Sequence, residues 1–318
     1  MQPRYEHRRA SPTDGSGTGS AGVPAGCAVT AATGPGPAPL AGHRLVFVAG
    51  LHRSGTTPLT RVLAAHPQVS GFSGTGATED EGQHLQQVYP PARAYGGPGR
   101  FALDPRSHLT ETSPPATAEN AARLAASWGA HWDLDRPVLI EKSPPNLVMT
   151  RFLQQLFPQA QFVVIVRHPV VVALGTDKWL RGRSLRTPVA NWFAAHDTFL
   201  ADLPSLRSVH VVRYEALVQD PVGELDAIGG FLGLDSPVET SAWQGGRSDA
   251  YAARWGALAH DPRPWRRSLR RSLLAQYADR AAGYGYDLEH LDALRPWRPV
   301  PDRQRPEQAG TDPAGTAG

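Results

Sequence analysis

Residues 45–57 of this chain read Leu45-Val-Phe-Val-Ala-Gly-Leu-His-Arg-Ser-Gly-Thr-Thr57, and Pro58-Leu-Thr-Arg-Val-Leu-Ala-Ala-His66 follows directly. The apolar run ends at Gly50, and a short polar loop separates it from the next apolar segment. This pattern predicts a buried strand, a tight loop, and a helix with Pro58 in its first turn. Successive backbone N–H groups and the positive helix end converge in such a loop, so the sequence predicts a site for an anion there.

The loop differs from that of the nucleotide triphosphatases, which reads Gly-x-x-x-x-Gly-Lys-Ser/Thr. Gly50 and Gly55 keep the spacing, but Thr56 and Thr57 follow, and the cation, Arg53, lies inside the loop. We therefore expect the loop to bind a charged group without ATP–Mg²⁺ chemistry. The alternative is an ordinary strand–helix turn in which Ser54 or Thr56 caps the helix.

Composition predicts one folded domain with unstructured ends. Residues 1–43 and 298–318 are rich in Gly, Pro, Ala and Thr without an apolar period, which predicts a disordered leader and a disordered tail around a domain at 44–297. The net charge is +3, from 32 basic and 29 acidic residues. This balance gives no indication of a nucleic-acid partner, but it is compatible with a small anionic ligand.

The chain has one cysteine, Cys27, which excludes a disulfide within the chain and a cysteine-based metal site. Its histidines lack metal-ligand spacing, so we expect no metal. The first 43 residues have no continuous apolar segment, and no run is long enough to cross a membrane, which favours a cytoplasmic protein. Abundant Ala, Arg, Pro and Gly with few Lys suggest a bacterial source. The sequence does not indicate the oligomeric state.

Apolar strands alternate with helical patterns after the first loop. This order predicts an α/β domain with a central parallel sheet flanked by helices, a P-loop-like nucleotide-binding fold. Ligands in such folds bind at the carboxyl ends of the strands, where the polar clusters 50–57, 141–145 and 167–169 are expected. Further strands are predicted at 138–140, 161–166 and 208–212, and helices at 117–130, 146–156, 170–180, 188–201, 214–232 and 264–282, with a short helix at 81–88 inside an irregular stretch at 67–118.

Arg167 ends the buried strand 161–166, and Thr176 lies nine residues further on. An arginine at this edge can offer two parallel N–H groups to a second phosphate beside the first loop. The alternative is an ion pair with a carboxylate in the core.

With two anion sites on one sheet and no Walker lysine, the chain resembles the sulfotransferases that use 3′-phosphoadenosine 5′-phosphosulfate (PAPS). The resemblance covers about residues 44–235. Phe47–Thr57 is similar to the family's 5′-phosphosulfate loop, with Arg53 where many members have Lys. Val164–Pro169, followed by Ala173 and Leu174, is similar to the 3′-phosphate motif. Val211–Val218 resembles the later segment whose tyrosine, here Tyr214, often lies near adenine.

This resemblance implies a role for each motif residue. Ser54, Gly55, Thr56 and Thr57 would hold the 5′-phosphosulfate, and Arg53 would neutralise charge on the bridging oxygen as the phosphate leaves. Arg167 would bind the 3′-phosphate. The chain departs from the family at the serine expected eight residues after that arginine, where it has Gly175. Either Thr176 substitutes for the serine or Gly175 offers only its N–H.

The resemblance also implies a base that takes the acceptor proton. Residues 78–85 read Thr-Glu-Asp-Glu-Gly-Gln-His-Leu, and Glu81 is the first candidate, His84 the second and Glu79 the third. The alternative is that these residues are the N-terminal carboxylates of a surface helix. Lys142 lies two residues after the predicted strand 138–140 and could reach the sulfuryl group, or it could form a surface pair with Glu141.

The sequence thus predicts an enzyme that transfers the sulfuryl group of PAPS to a hydroxyl or amine of a small-molecule or carbohydrate acceptor, without a nucleic-acid or membrane partner. The alternatives are a P-loop-type kinase and a non-catalytic nucleotide-binding protein. Helix 264–282 places Trp265, Leu269, Leu273 and Tyr277 on one face and Arg266, Arg267, Arg270 and Arg271 largely on another. That basic face is either solvated or contacts an acidic acceptor or the 3′-phosphate.

Overall fold

The computed structural model describes residues 40–179, 184–243, 245 and 248–297, and within them five strands alternate with nine α-helices. The strands are β1 (Arg44–Ala49), β2 (Val69–Gly71), β3 (Val138–Lys142), β4 (Gln161–Val166) and β5 (Val209–Arg213). The helices are α1 (Thr56–Ala64), α2 (Ala118–Gly129), α3 (Thr150–Leu156), α4 (Pro169–Thr176), α5 (Arg186–Asp202), α6 (Tyr214–Gln219), α7 (Pro221–Leu232), α8 (Asp249–Ala257) and α9 (Pro264–Gly283). Residues 1–39 of the predicted leader, with Cys27, and the predicted tail at 298–318 lie outside the described residues.

The strands form one sheet in the order β2-β3-β1-β4-β5, and every neighbouring pair is parallel. The predicted α/β class with a central parallel sheet is confirmed. Because the chain leaves β1 in the middle of the sheet and enters α1, the loop 50–55 lies at its carboxyl edge. The carboxyl ends of β3 and β4 flank that loop, so the three polar clusters expected at this edge do meet there.

Both faces of the sheet are covered by helices, which explains the continuous apolar runs of its strands. On β1, Phe47 belongs to a core cluster that includes Trp128 of α2, Phe152 of α3 and Trp192 of α5. Val46 and Val48 point the other way, into a second cluster with helices α1, α6 and α7. The two clusters hold β1 in place from both sides and thereby fix the loop that follows it.

Some predicted elements differ from the observed ones. The three-residue strand β2 and helix α8 were not predicted. The helix expected at 81–88 is wrong, because this stretch contains the separate 3₁₀ turns Thr78–Asp80 and Gly82–His84. Glu79 and Asp80 have φ values of 55° and 48°, which a continuous right-handed helix does not allow.

Candidate active site

The loop after β1 packs closely against the residues around it. Gly50 has a φ of 150°, and a Cβ atom there would lie 2.5 Å from the backbone oxygen of Ile165 on β4. Gly55 has a φ of 103°, and its Cβ would lie 2.6 Å from Cδ2 of Tyr214. Arg53 also has a positive φ, 72°, which non-glycine residues rarely adopt. The spacing of the two glycines is therefore required by the packing of the loop, and Arg53 is held in a strained conformation of the kind found at functional sites.

Helix α1 begins directly at this loop, with Gly55 as its N-cap. The alternative in which Ser54 or Thr56 caps the helix is wrong, since the capping position is a glycine. Ser54 Oγ and Arg53 Nε are buried and have no hydrogen-bond partner among the described residues. Buried polar atoms are rarely left unpaired. An anion in the loop would accept hydrogen bonds from these atoms and from the first N–H groups of α1.

Arg167 lies between the loop and the segments that follow β4 and β5. Its Nη1 donates to the carbonyl of Arg53 at 3.0 Å, and its Nη2 donates to Ser248 Oγ at 2.9 Å. Its Cζ lies 3.8 Å from the centre of the Tyr214 ring. Burial lowers the pKa of Arg167, but a guanidinium stays charged. Both hydrogen bonds go to neutral oxygens, so the predicted ion pair with a core carboxylate is not observed among the described residues.

Gly175 and Thr176, the two candidates to replace the missing serine, differ in what they contact. The Thr176 hydroxyl shares its proton between the carbonyls of Val172 and Ala173, at 3.0 and 2.9 Å. Gly175 instead faces Arg53, because a Cβ on it would lie 3.1 Å from Arg53 Cβ. A side chain at 175 would therefore crowd the arginine of the loop.

Glu81 and Lys142 form a buried ion pair, with Lys142 Nζ 3.2 Å from Glu81 Oε1. Lys142 Nζ also donates to the carbonyl of Glu79 at 2.9 Å, and the Glu79 carboxylate accepts from Thr57 Oγ1 of the loop at 3.4 Å. The structure thus joins the three predicted elements: the 78–84 segment, the end of β3 and the phosphate loop. The predicted Glu141–Lys142 surface pair is wrong, since both residues are buried and Lys142 pairs with Glu81.

Two imidazoles lie beside this ion pair. His84 Nε2 is 3.8 Å from Glu81 Oε2, and burial lowers the pKa of His84 despite the neighbouring carboxylate. Burial and the charge of Lys142 lower the pKa of His52 to about 3, so His52 is neutral at physiological pH. His52 Nδ1 is buried without a partner in the described part of the chain. His52 lies within the loop pattern, but the sequence indicates no role for it.

Ser248 is a second residue that the sequence reasoning missed. It precedes helix α8, which the apolar pattern did not predict, and no motif marks it. Its hydroxyl accepts from Arg167 Nη2, whereas Nη1 of the same guanidinium donates to the loop at Arg53.

The basic helix α9 differs in part from its prediction. Leu273 and Tyr277 are buried as expected, but Trp265 is 60% exposed. Arg270 packs with its Cζ 5.3 Å from the centre of the Trp255 ring, and Arg266 pairs with Asp261. Part of the predicted basic face is therefore used for contacts within the fold.

Within the described ranges, no group of three or more His, Cys, Asp and Glu side chains could hold a metal ion. The helices of the same ranges include none with the length and apolar character to cross a membrane.

Comparison with known proteins identifies the family of this site. The model of the sulfotransferase family matches residues 46–238, which include the loop, Glu81, Lys142, Arg167 and Tyr214. Protein-tyrosine sulfotransferase 2 of Gallus gallus is 25% identical over 200 residues, which cover 60% of this chain and 51% of that protein. Nodulation protein NoeE of Sinorhizobium fredii is 26% identical over 226 residues, which cover 60% of this chain and 50% of that protein. The chain spans about half the length of the curated relatives it matches.

Solved structures of sulfotransferases are also similar. A sulfotransferase from Alicyclobacillus acidocaldarius is 19% identical with a TM-score of 0.42, over 71% of this chain and 99% of its own. Sulfotransferase STF9 of Mycobacterium avium is 15% identical with a TM-score of 0.43, over 75% of this chain and 77% of its own. Both TM-scores are below 0.5, so the family assignment rests on the family match alone.

Proposed function

This chain belongs to the sulfotransferase family, whose model matches residues 46–238, and from that membership we propose that it moves the sulfuryl group of PAPS to an acceptor hydroxyl or amine. The observation that carries the proposal is the Arg167 guanidinium, which links the phosphate loop to the Tyr214 ring. PAPS has a phosphosulfate and a phosphate on one ribose, so it requires two anion sites beside a surface for adenine. The loop 50–57, Arg167 and Tyr214 supply these three features.

Each part of the nucleotide has a proposed partner. Ser54, Gly55, Thr56 and Thr57 bind the 5′-phosphosulfate through N–H and hydroxyl groups, and Arg167 binds the 3′-phosphate with Tyr214 near the adenine. Thr176 would have to release two carbonyls of its own helix to contribute its hydroxyl. Ser248 already contacts Arg167, so it can assist at the 3′-phosphate without such a change.

The proposed reaction is a direct transfer. As the acceptor oxygen or nitrogen forms a bond to sulfur, its proton passes to the Glu81 carboxylate. The bond between sulfur and the bridging oxygen breaks, and that oxygen leaves with the electron pair on the 5′-phosphate of 3′-phosphoadenosine 5′-phosphate (PAP). Arg53 neutralises the charge that develops there. Lys142 donates two of its three N–H groups to Glu79 and Glu81, so one remains for a sulfuryl oxygen.

Glu81 is preferred as the base because the buried ammonium of Lys142 fixes its carboxylate next to the loop. His84 is the second candidate, since its lowered pKa leaves it neutral and able to accept a proton at pH 7. Glu79 remains third, because its carboxylate accepts from Thr57 and its backbone carbonyl from Lys142.

The acceptor is proposed to be a small molecule or a carbohydrate. A cleft of about 340 Å³ opens beside His84 and is lined mainly by polar side chains, including those of Gln87, Arg123, Ser127 and His131. Hydroxyl, amine or carboxylate groups on an acceptor could exchange hydrogen bonds with these side chains. The cleft therefore favours a polar acceptor over a purely apolar one.

The test is transfer of ³⁵S-labelled sulfuryl from PAPS to phenol, saccharide and amine acceptors, measured in EDTA and without ATP. We expect label on at least one acceptor class and stoichiometric release of PAP. A kinase would instead require Mg²⁺ and transfer the γ-phosphoryl group of ATP. A non-catalytic binding protein would be stabilised by PAP against heat, yet would label no acceptor and release no PAP.

Residues 44–297 are proposed as the sulfotransferase domain, with 1–43 and 298–318 as its flanks. A bacterial cytoplasmic setting remains part of the same proposal.

A further inference from the structure

A fully buried carboxyl, that of Glu141, lies beneath the segment that carries Glu81. Its Oε1 accepts a hydrogen bond from Ser143 Oγ at 2.6 Å, and its Oε2 accepts one from Asn146 Nδ2 at 2.5 Å. Asn146 Nδ2 also lies 3.4 Å from the carbonyl of Val48 on β1. Glu141 is thus fixed to the strand that leads into the phosphate loop.

Ser143 connects Glu141 to the 78–84 segment. Its hydroxyl donates to Glu141 and accepts from the backbone N–H of Gln83 at 2.9 Å. Because a hydroxyl has only one proton, an acceptor at Glu141 determines which way that proton points. The Ser143 oxygen is then free to accept from Gln83.

Gln83 in turn holds Glu81. Its side-chain Nε2 donates to Glu81 Oε2 at 2.5 Å, and its Oε1 accepts from the N–H of Ala92 at 2.8 Å. Both ends of the Gln83 side chain are thereby occupied, and the side chain is buried. A shift of the Gln83 backbone would therefore move the Glu81 carboxylate.

Gly82 packs against the same carboxyl. A Cβ on Gly82 would lie 2.4 Å from Glu141 Oε1, and the Gly82 carbonyl accepts from Trp128 Nε1 at 3.1 Å. Gly82, between Glu81 and Gln83, is therefore held by its packing against Glu141 and by its hydrogen bond from Trp128.

The charged groups that act on Glu141 are Lys142 and Glu81. Burial and then the charge of Glu141 raise the pKa of the nearby Tyr89 phenol. Burial raises the pKa of Glu141 to about 7, although the hydrogen bonds of Ser143 and Asn146 oppose this change. Lys142 forms its ion pair with Glu81 and not with Glu141. Glu141 therefore acts on its surroundings chiefly through its two hydrogen bonds.

We infer that Glu141 is a positioning residue that acts through Ser143 and Gln83 to hold the Glu81 carboxylate in place for proton transfer. This inference rests on the proposed function, since it assigns Glu81 its role as the base. Glu141, Ser143 and Gln83 are not among the residues proposed to bind the nucleotide, so we expect their loss to affect the chemical step more than the binding of PAPS.

The test compares Ser143→Ala, Glu141→Gln and the double variant with the wild type. Ser143→Ala removes the hydroxyl that links the two residues, whereas Glu141→Gln keeps the size of the side chain but puts an NH2 donor in place of one of the two oxygens that accept from Ser143 and Asn146. We expect each single variant to lower kcat by about tenfold with a nearly unchanged KM for PAPS, and the double variant to be little worse than Ser143→Ala, because residues that act as a unit are not additive. Multiplicative losses would contradict the inference.

Hydrogen exchange of the PAP-bound protein gives a second readout that does not depend on the acceptor. Amide exchange in the segment 79–85 should rise at least tenfold in Ser143→Ala, because the Gln83 N–H loses its acceptor. Thr150→Val is the matched control, since it removes a buried hydroxyl that has no partner among the described residues. It should change neither exchange in 79–85 nor kcat.

The outcomes separate this inference from the proposed function. A wild-type protein that neither binds PAP nor labels an acceptor overturns the proposed function. A wild type that transfers sulfuryl, together with a Ser143→Ala variant of normal kcat and normal exchange, overturns only the inference about Glu141. If Ser143→Ala is unfolded by circular dichroism, Glu141→Gln decides by the same two measurements, and normal values for that variant overturn the inference.

Discussion

The backbone of Arg53 lies in the left-handed region, its carbonyl accepts from Arg167, and its side chain packs against Gly175. The type and position of Arg53 could be taken from the sequence, because the loop pattern is local. Its conformation could not, since it depends on Arg167 and Gly175, which are more than a hundred residues away. The same holds for Lys142, for which the sequence left a surface pair with the adjacent Glu141 open, whereas its partner is Glu81.

Arg53→Ala should lower kcat for sulfuryl transfer by about 100-fold or more, because a fixed cation at a leaving group is a large part of transition-state stabilisation. Arg53→Lys should recover part of the loss, since it keeps the charge. Steady-state assays with PAPS measure both. Arg61→Ala, which removes an exposed cation from α1, is the control and should leave kcat unchanged. Near-normal turnover of Arg53→Ala would contradict the role of this residue.

At the scale of elements, the sequence predicted those strands that contain several Val, Leu, Ile or Phe residues. β1, β3, β4 and β5 lie close to their expected positions. β2 reads Val69-Ser70-Gly71, in which only Val69 is a large apolar residue, so no apolar run marks it. The 78–84 segment could not be predicted because contacts outside it determine its conformation: Asp80 accepts from the backbone and hydroxyl of Thr75, and the distant Lys142 binds the carbonyl of Glu79.

Lys142→Met should destabilise the attachment of this segment to β3. The variant leaves the buried Glu81 carboxylate without its ammonium partner, so we expect the free energy of unfolding to fall by about 3–5 kcal/mol. Urea unfolding at pH 7 measures the change. Lys178→Met, which removes an ammonium after α4, provides the comparison and should cost less than about 1 kcal/mol. Equal stabilities of the Lys142 and Lys178 variants would show that the buried pair does not hold the segment.

In the whole molecule, residues beyond the family match brace the carboxyl end of β4. The His168 ring lies 3.0 Å from the carbonyl of Asp287, and Tyr286 donates to Glu215, whose other oxygen accepts from the His168 N–H. Ser248 adds its contact to Arg167. These links join distant parts of the chain through single hydrogen bonds, which is why no sequence pattern indicated them.

The buried histidines should make stability depend on pH. Burial lowers the pKa of His196 to about 4, and its Nδ1 donates to the Trp192 carbonyl. Between pH 6.5 and 4, only the unfolded chain takes up a proton at this residue, so the free energy of unfolding falls by about 1.4 kcal/mol per pH unit. Above pH 6.5 the residue is neutral in both states and has no such effect.

His196→Phe should remove the contribution of His196 to this pH dependence. In the wild type that contribution lowers the free energy of unfolding by about 2–3 kcal/mol between pH 7 and 4.5. Urea unfolding at several pH values measures it. The exposed His260 offers a control, His260→Gln, that should keep the wild-type slope. A slope unchanged in His196→Phe would mean that this imidazole does not gain its proton on unfolding.

The central claim is that Glu81 accepts the proton while the loop and Arg167 hold PAPS. The most direct test is the single-turnover rate of ³⁵S-sulfuryl transfer by wild type and Glu81→Gln, each saturated with PAPS. We predict that Glu81→Gln binds PAP with an affinity within about threefold of the wild type and transfers sulfuryl at least about 100-fold more slowly. A Glu81→Gln variant that transfers at the wild-type rate would contradict the account.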